Sequence, residues 1–238
     1  MICALIHGFA GGPSVWDEVI DGWQLPDAPR AIALPGHGGG PVRDTWQQNL
    51  EAVAEAIDRL RCDCVVGYSL GARVALGLVV GGMAAHGVLI GVNPGIADEL
   101  RPDRAQVDAA WARLLRTEGV AAFDDAWTKQ ALFASQARVD PDRRLLRRER
   151  RLRLDPEQLA RSLEVMGLAA MPDYWGAVAP HRDRIALLAG AEDAKYVAIA
   201  EGLPCASFEV IADSGHDPTL EQPAALAGAI RRAVQKLR

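Results

Sequence analysis

Ser69 stands in Gly67-Tyr68-Ser69-Leu70-Gly71, which follows the apolar run Cys64-Val65-Val66 and opens a helical pattern over residues 72–80. A G-x-S-x-G pentapeptide occurs by chance in ordinary turns. Between a strand and a helix it reads as a nucleophile elbow, too tight for a Cβ on either flank, which lifts the serine hydroxyl clear of the sheet. A serine hydroxyl is inert near neutral pH and needs a neutral imidazole to accept its proton. Of five histidines, His216 fits best, in Ser214-Gly215-His216-Asp217-Pro218 after the last apolar run. His7 and His37 lie in glycine turns and read as loop-shaping hydrogen-bonding residues, while His86 and His181 precede strands and read as surface or loop residues. The acid that orients the base is expected between serine and histidine in chain order, just after a strand. Asp193 meets this, with Glu192 as the fallback; Asp213, three residues before the base in the same turn, approaches from the wrong direction. Negative charge developing on an oxygen needs fixed donors. The amide of Leu70 and the amide of Phe9, in His7-Gly8-Phe9, are the candidates for that oxyanion hole.

These residues need a scaffold that brings strand ends together, and the chain repeats one. Short apolar runs at 2–6, 31–34, 64–66, 88–92, 185–189 and 207–211 each lead into a turn rich in glycine or polar residues. Strands alternating with helices predict an α/β fold, a mostly parallel sheet flanked by helices, with the ligand crevice beyond the carboxyl ends of the strands. Every candidate above falls at such an end. Residues 97–175 break the rhythm with helical patterns and no strand, predicting a helical cap inserted into a core formed by 1–96 and 176–238. Within the cap, the arginine-rich run 143–153 reads as a solvated helix face, with Leu145, Leu146, Leu152 and Leu154 turned inward.

Composition narrows the class further. The 238 residues are 50% hydrophobic with a net charge of −5, which suits a sizeable apolar core and argues against a nucleic-acid-binding domain. Four scattered cysteines make no disulfide framework, and no ligand spacing for a metal or fingerprint for a cofactor is present. The longest apolar stretch, 71–92, contains Arg73, His86 and several glycines and divides into a helix and a strand, so no membrane span is expected. The first apolar run is broken at His7-Gly8, too early for a signal peptide, and the expected location is cytoplasmic.

Arg73 stands one helical turn beyond Ser69 in a helix otherwise poor in charge. Helix side chains lean toward the N-terminus, so it can point back at the reacting centre. A buried guanidinium is costly unless paired, and either a substrate carboxylate or a structural carboxylate would serve.

From His7-Gly8-Phe9 to His216 the chain resembles the α/β-hydrolase superfamily. Several stretches are more specific: Gly67-Tyr68-Ser69-Leu70-Gly71-Ala72-Arg73-Val74-Ala75, Gly190-Ala191-Glu192-Asp193-Ala194-Lys195-Tyr196, Leu34-Pro35-Gly36-His37-Gly38-Gly39, and Trp127 with Leu132-Phe133-Ala134. Together they resemble the 2-succinyl-6-hydroxy-2,4-cyclohexadiene-1-carboxylate synthase family of menaquinone biosynthesis. The resemblance implies a Ser69-His216-Asp193 triad that removes a proton and expels pyruvate, a carbon-oxygen lyase reaction without hydrolysis. It implies a carboxylate-bearing small-molecule substrate held by Arg73, Arg101 and Arg104, and pocket roles for Tyr68, Trp127 and Lys195. Two departures stand out: Ala105 and Gln106 occupy places where the family carries a further arginine, and Ala72 replaces a usual glycine. They leave open a carboxylic-ester, thioester or lactone hydrolase on the same triad. A non-catalytic binding module of this fold ranks last, because no triad member is missing.

Overall fold

The computed structural model describes residues 1–238. Six strands, β1 (Cys3–Ile6), β2 (Arg30–Ile32), β3 (Cys64–Tyr68), β4 (His86–Ile90), β5 (Ile185–Gly190) and β6 (Ser207–Ile211), form one sheet in the order β2-β1-β3-β4-β5-β6. All five pairings are parallel. Side chains alternate between two apolar layers. Ala4, Ile6, Val65 and Leu89 face one core; Cys3, Leu5, Val66 and Ile90 face the other. The first layer is completed by α2 (Trp46–Arg59) and α3 (Leu70–Val80), the second by α1 (Asp17–Asp21) and the C-terminal helix Pro223–Lys236. Burial on both faces explains why these strands read as continuous apolar runs. No helix is long and apolar enough to cross a membrane.

The chain leaves β1 toward β2 on one side and returns through α2 to β3 on the other, so the loops after β1 and β3 part at a topological switch point. Such points open a crevice at the strand ends. Two devices fix its walls. At the elbow, Ser69 takes φ 53° and ψ −110°, a conformation costing on the order of 1–3 kcal/mol for a residue with a side chain. The flanking glycines make it possible: a Cβ on Gly67 would meet Gly71 O at 2.2 Å, and one on Gly71 would meet Ile6 O at 2.2 Å. Beside it, the loops after β1 and β2 are stitched reciprocally. Leu34 N donates to His7 Nε2 and Ala10 N donates to His37 Nε2, both at 3.1 Å. With Nε2 accepting, the proton of each ring sits on Nδ1 and is donated to Gly8 O from His7 and to Pro35 O from His37. These two histidines are therefore structural, and both are buried.

Between β4 and β5 the chain forms helices joined by short loops and no strand. The principal helices are α4 (Arg101–Trp127), α5 (Pro141–Arg151) and α6 (Pro156–Met166), with a short helical segment, Ala131–Arg138, between α4 and α5. Gly119, at φ 79°, kinks α4. Asp140 and Asp155 each precede a proline and accept the first free amides of α5 and α6. The layer has its own small core of Ala112, Leu115, Phe123, Leu159 and Leu163. The arginine-rich helix α5 reverses the sequence expectation. Leu145, Leu146 and Leu152 are exposed at 53%, 46% and 40%, and only Leu154 packs against the cap core. The arginines turn inward instead: Arg147 pairs with Asp217 at 3.0 Å, Arg151 with Asp124, Arg143 with Glu18 at 2.8 Å and Arg150 with Asp17 at 3.0 Å. A hydrophobic stripe is a good guide where a helix docks on an apolar surface. Here the docking surface supplies carboxylates, from segments far away in sequence.

Burial lowers the pKa of His7 to about 3 and of His37 to about 4. Both values fall below the ordinary 6.5, so the unfolded chain binds protons that the folded chain refuses. Stability should be complete above pH 6.5 and should fall toward pH 4 by up to about 1.4 kcal/mol per histidine per pH unit. Urea titrations at stepped pH check this, and His37→Gln should flatten the slope. For the elbow, Gly71→Ala should lower the thermal midpoint sharply, because backbone obstructs the new methyl on two sides. Gly12→Ala, in extended backbone with nothing within 4 Å of its Cβ position, should stay within about 0.5 kcal/mol of wild type.

Candidate active site

Ser69, His216 and Asp193 meet at the crevice although they come from three separate turns. The Ser69 hydroxyl donates to His216 Nε2 at 3.0 Å, and the opposite ring proton, on Nδ1, is donated to Asp193 Oδ2 at 2.6 Å. Asp193 opens α7 (Ala194–Glu201) at the end of β5, and His216 and Asp193 are both almost fully buried. Gly91, at φ 59° after β4, backs the imidazole so closely that a Cβ there would stand 3.1 Å from His216 Cε1. The fallback acid and the one set aside both lie elsewhere. Glu192 is paired with Arg138, and Asp213 is exposed. This chain of hydrogen bonds presents Nε2 to the serine hydroxyl, the geometry a general base needs.

Phe9 and Leu70 line the same pocket as Ser69 and His216. Leu70 is the first residue of α3, where backbone amides are free of helical partners and the helix dipole favours negative charge. Tyr68 also lines the pocket; its ring lies 5.6 Å from that of His216, and burial raises its pKa well above the ordinary value. Trp127 reaches in from the end of α4 within an aromatic cluster, 5.4 Å from Phe9 and 5.1 Å from Phe123 between ring centres.

The basic residues expected around the pocket divide. Arg73 lines it, and its guanidinium hydrogen-bonds only the Met166 carbonyl, at 3.0 Å, and the Met171 sulfur, at 3.5 Å. The structural ion pair that would have explained its burial is absent. Desolvation lowers its pKa to about 10, leaving it charged at neutral pH. Arg104 lines the pocket too, held by Asp108 through Nε at 3.0 Å and Nη2 at 2.9 Å. Arg101 does not. It binds Asp98 and the carbonyls of Ala169 and Met171, fastening the start of α4 to the loop after α6. Lys195 is exposed beside the Tyr196 ring and is likewise absent from the lining. Ala105 and Gln106 are exposed, so the arginine missing there removes no residue from the pocket wall.

Tyr196 was not singled out in the sequence, yet its ring lies 4.5 Å from that of His216 and forms part of the wall. The only available signal was its place one helical turn after Asp193. Ser162 and Met166, one turn apart on α6, also line the pocket. No sequence pattern separated them from other cap residues.

Comparison with known proteins places the fold in a family. The model of the alpha/beta hydrolase family matches residues 4–229. The 2-succinyl-6-hydroxy-2,4-cyclohexadiene-1-carboxylate synthase of Enterobacter sp. (strain 638) is 32% identical over 97% of this chain and 90% of its own. The structure of MenH from S. aureus superposes with a TM-score of 0.90 at 25% identity, covering 100% of this chain and 94% of that one. A thermophilic esterase from Thermogutta terrifontis shares the fold at 24% identity, with a TM-score of 0.81 over 100% of this chain and 90% of its own. With its strand order in place, the chain belongs to the alpha/beta hydrolase family and resembles the 2-succinyl-6-hydroxy-2,4-cyclohexadiene-1-carboxylate synthases along nearly its whole length.

Proposed function

We propose that this chain is a lyase of menaquinone synthesis that eliminates pyruvate from a cyclohexene carrying several carboxylates, with Ser69, His216 and Asp193 as its catalytic residues. The observation that carries the reading is Arg73, a half-buried guanidinium on the pocket wall with no carboxylate partner of its own. A charge held this way is stabilised when a substrate carboxylate completes it, and guanidinium matches carboxylate in two parallel hydrogen bonds. An ordinary ester hydrolase acting on uncharged substrates has no use for it. The names of the synthase relatives support the same substrate class.

In the reaction, His216 Nε2 takes the proton of Ser69 as Ser69 Oγ removes a proton from a ring carbon. The electron pair of that C–H bond forms a new ring double bond as the C–O bond to the enolpyruvyl group breaks; the departing enolpyruvate takes up a proton at its methylene carbon to become pyruvate, and the proton held on His216 balances it, which returns the base to its neutral form. Asp193 fixes the His216 tautomer and stabilises the imidazolium. The Phe9 and Leu70 amides steady the enolate-like charge that develops before the C–O bond breaks. Arg73 and Arg104 hold the carboxylates, and Tyr68 and Trp127 enclose the ring.

Supplying the pathway intermediate and following pyruvate release tests this directly. Wild type should release pyruvate, and Ser69→Ala should lose at least about 10⁴-fold in kcat. No release from wild type, or undiminished release from Ser69→Ala, rules the reading out. Arg73→Ala should lower kcat/KM about 10- to 100-fold, the usual worth of a hydrogen-bonded charged partner, and Arg73→Lys should recover only part of it. Fast turnover of simple activated esters that ignores Arg73→Ala would replace the lyase with a carboxylic-ester or thioester hydrolase.

A further inference from the structure

The loop that carries His216 is gripped from a side the triad does not use. Glu221 closes a short helix, Pro218–Glu221, that follows the loop, and it is buried. Its Oε2 accepts the amide of Gly215 at 2.7 Å and its Oε1 accepts the amide of Asp217 at 3.2 Å. Those are the two residues on either side of His216. Ser135, from the segment Ala131–Arg138, stands beside the same carboxylate: the Cβ position of Gly215 lies 2.1 Å from Ser135 Oγ and 3.3 Å from Glu221 Oε2. Burial pushes the Glu221 pKa up, and the two amides and the hydroxyl oppose that shift. A carboxylate only accepts hydrogen bonds, and the two amides donate to it, while the nearby Asp217 carboxylate adds like charge.

The packing is as tight as the bonding. A Cβ on Gly215 would meet Ser135 Oγ at 2.1 Å, so the cap residue rests directly on the backbone next to the base. A Cβ on Gly190 would meet Gly215 O at 2.0 Å, which closes the opposite side. Phe133, two residues before Ser135, places its ring 6.2 Å from that of His216. A second link runs parallel, since Asp217 is paired with Arg147 of α5 at 3.0 Å. The base is thus fixed by a carboxylate behind it and by the cap in front.

We propose that Glu221 is a positioning residue for the base: by gripping both amides that flank His216 it sets the reach of the imidazole to Ser69, and through Ser135 it makes that reach depend on the seating of the cap. This rests on the triad assigned above, and it adds a coupling between lid and base that the triad alone does not contain. Glutamine at 221 keeps the shape but turns an N–H₂ toward one of the two amides, so donor faces donor and the loop must shift. A misplacement of about 1 Å at the reacting groups costs on the order of 100-fold in rate.

A fluorophosphonate probe tests this without the natural substrate. Ser69 Oγ attacks phosphorus, the P–O bond forms, fluoride leaves and His216 takes the serine proton, so the labelling rate reports alignment of base and nucleophile. Glu221→Gln should label at least about tenfold more slowly and should shift or broaden the downfield Nδ1 proton resonance of His216. Ser135→Ala, which leaves the fold undisturbed, should slow labelling about threefold with a thermal midpoint within about 2 °C of wild type. Val234→Ala, in the core of the C-terminal helix, supplies the contrast. It should lose thermal stability yet label at the wild-type rate, which separates alignment from stability. A Glu221→Gln chain that labels at the wild-type rate with an unchanged resonance overturns the proposal and leaves the triad intact. Should Glu221→Gln fail to fold, a wild-type rate in Ser135→Ala overturns it alone. A wild-type chain that does not label at Ser69 removes the triad and this proposal together.

Discussion

Two polypeptide backbones approach each other at the first turn of α3 more closely than any side chain would permit. Gly71 sits against the last carbonyls of β1, and Gly67 sits under Gly71 itself. That approach brings the start of α3 to the switch point of the sheet, and three consequences follow from it. Ser69 is forced to positive φ, which raises its hydroxyl above the strand ends. The Leu70 amide opens a helix directed at the crevice. The loop after β1, which carries Phe9, lies next to both and is held there by the reciprocal hydrogen bonds of His7 and His37. Strain at the serine is tolerated because the parallel sheet around it is buried on both faces and resists adjustment.

Charge is distributed by a different logic in the cap. Its helices share a modest apolar core, but α5 meets the rest of the molecule through arginines whose partners are Asp124, Asp217, Glu18 and Asp17. Paired and hydrogen-bonded charges are costly to separate when they are desolvated, whereas an apolar contact tolerates sliding. Of these pairs, Arg147–Asp217 and Arg151–Asp124 are largely buried, whereas Arg143–Glu18 and Arg150–Asp17 are partly exposed. Against that background Arg73 is the exception, since it carries its charge into the pocket with only a carbonyl and a thioether for company. The fold itself is shared by esterases and synthases and does not choose between them. The unpartnered guanidinium is the feature on which the proposed lyase reading rests.

Much of this was legible in the order of residues. The glycine pair around Ser69, the apolar runs and the turns that follow them are local signals, because a tight turn and a doubly covered strand each impose their requirements on neighbours in sequence. That Ser69, Asp193 and His216 meet was legible for the same reason, as each lies just beyond a strand. Strand limits moved by a residue or two, β4 beginning at His86 because its register is set by Cys64 on β3. The facing of α5 was misread: a pattern of leucines and arginines names two faces of a helix but not the surface that receives them. Arg101 and Lys195 fared similarly. Each lies near the site in sequence, yet Arg101 is drawn to carbonyls of the loop after α6 and Lys195 stays in solvent.

What the sequence determined, then, was the scaffold and its reactive turns, since strand, elbow and cap helices are written in short-range patterns of apolar, glycine and proline residues. Only the tertiary structure decided which charges are answered. Whether Arg73 has a carboxylate beside it, which groups receive the arginines of α5, and that Glu221 grips the amides around His216 are relations between distant segments. Electrostatic and hydrogen-bond partners are chosen by proximity in space, and linear spacing carries no record of it.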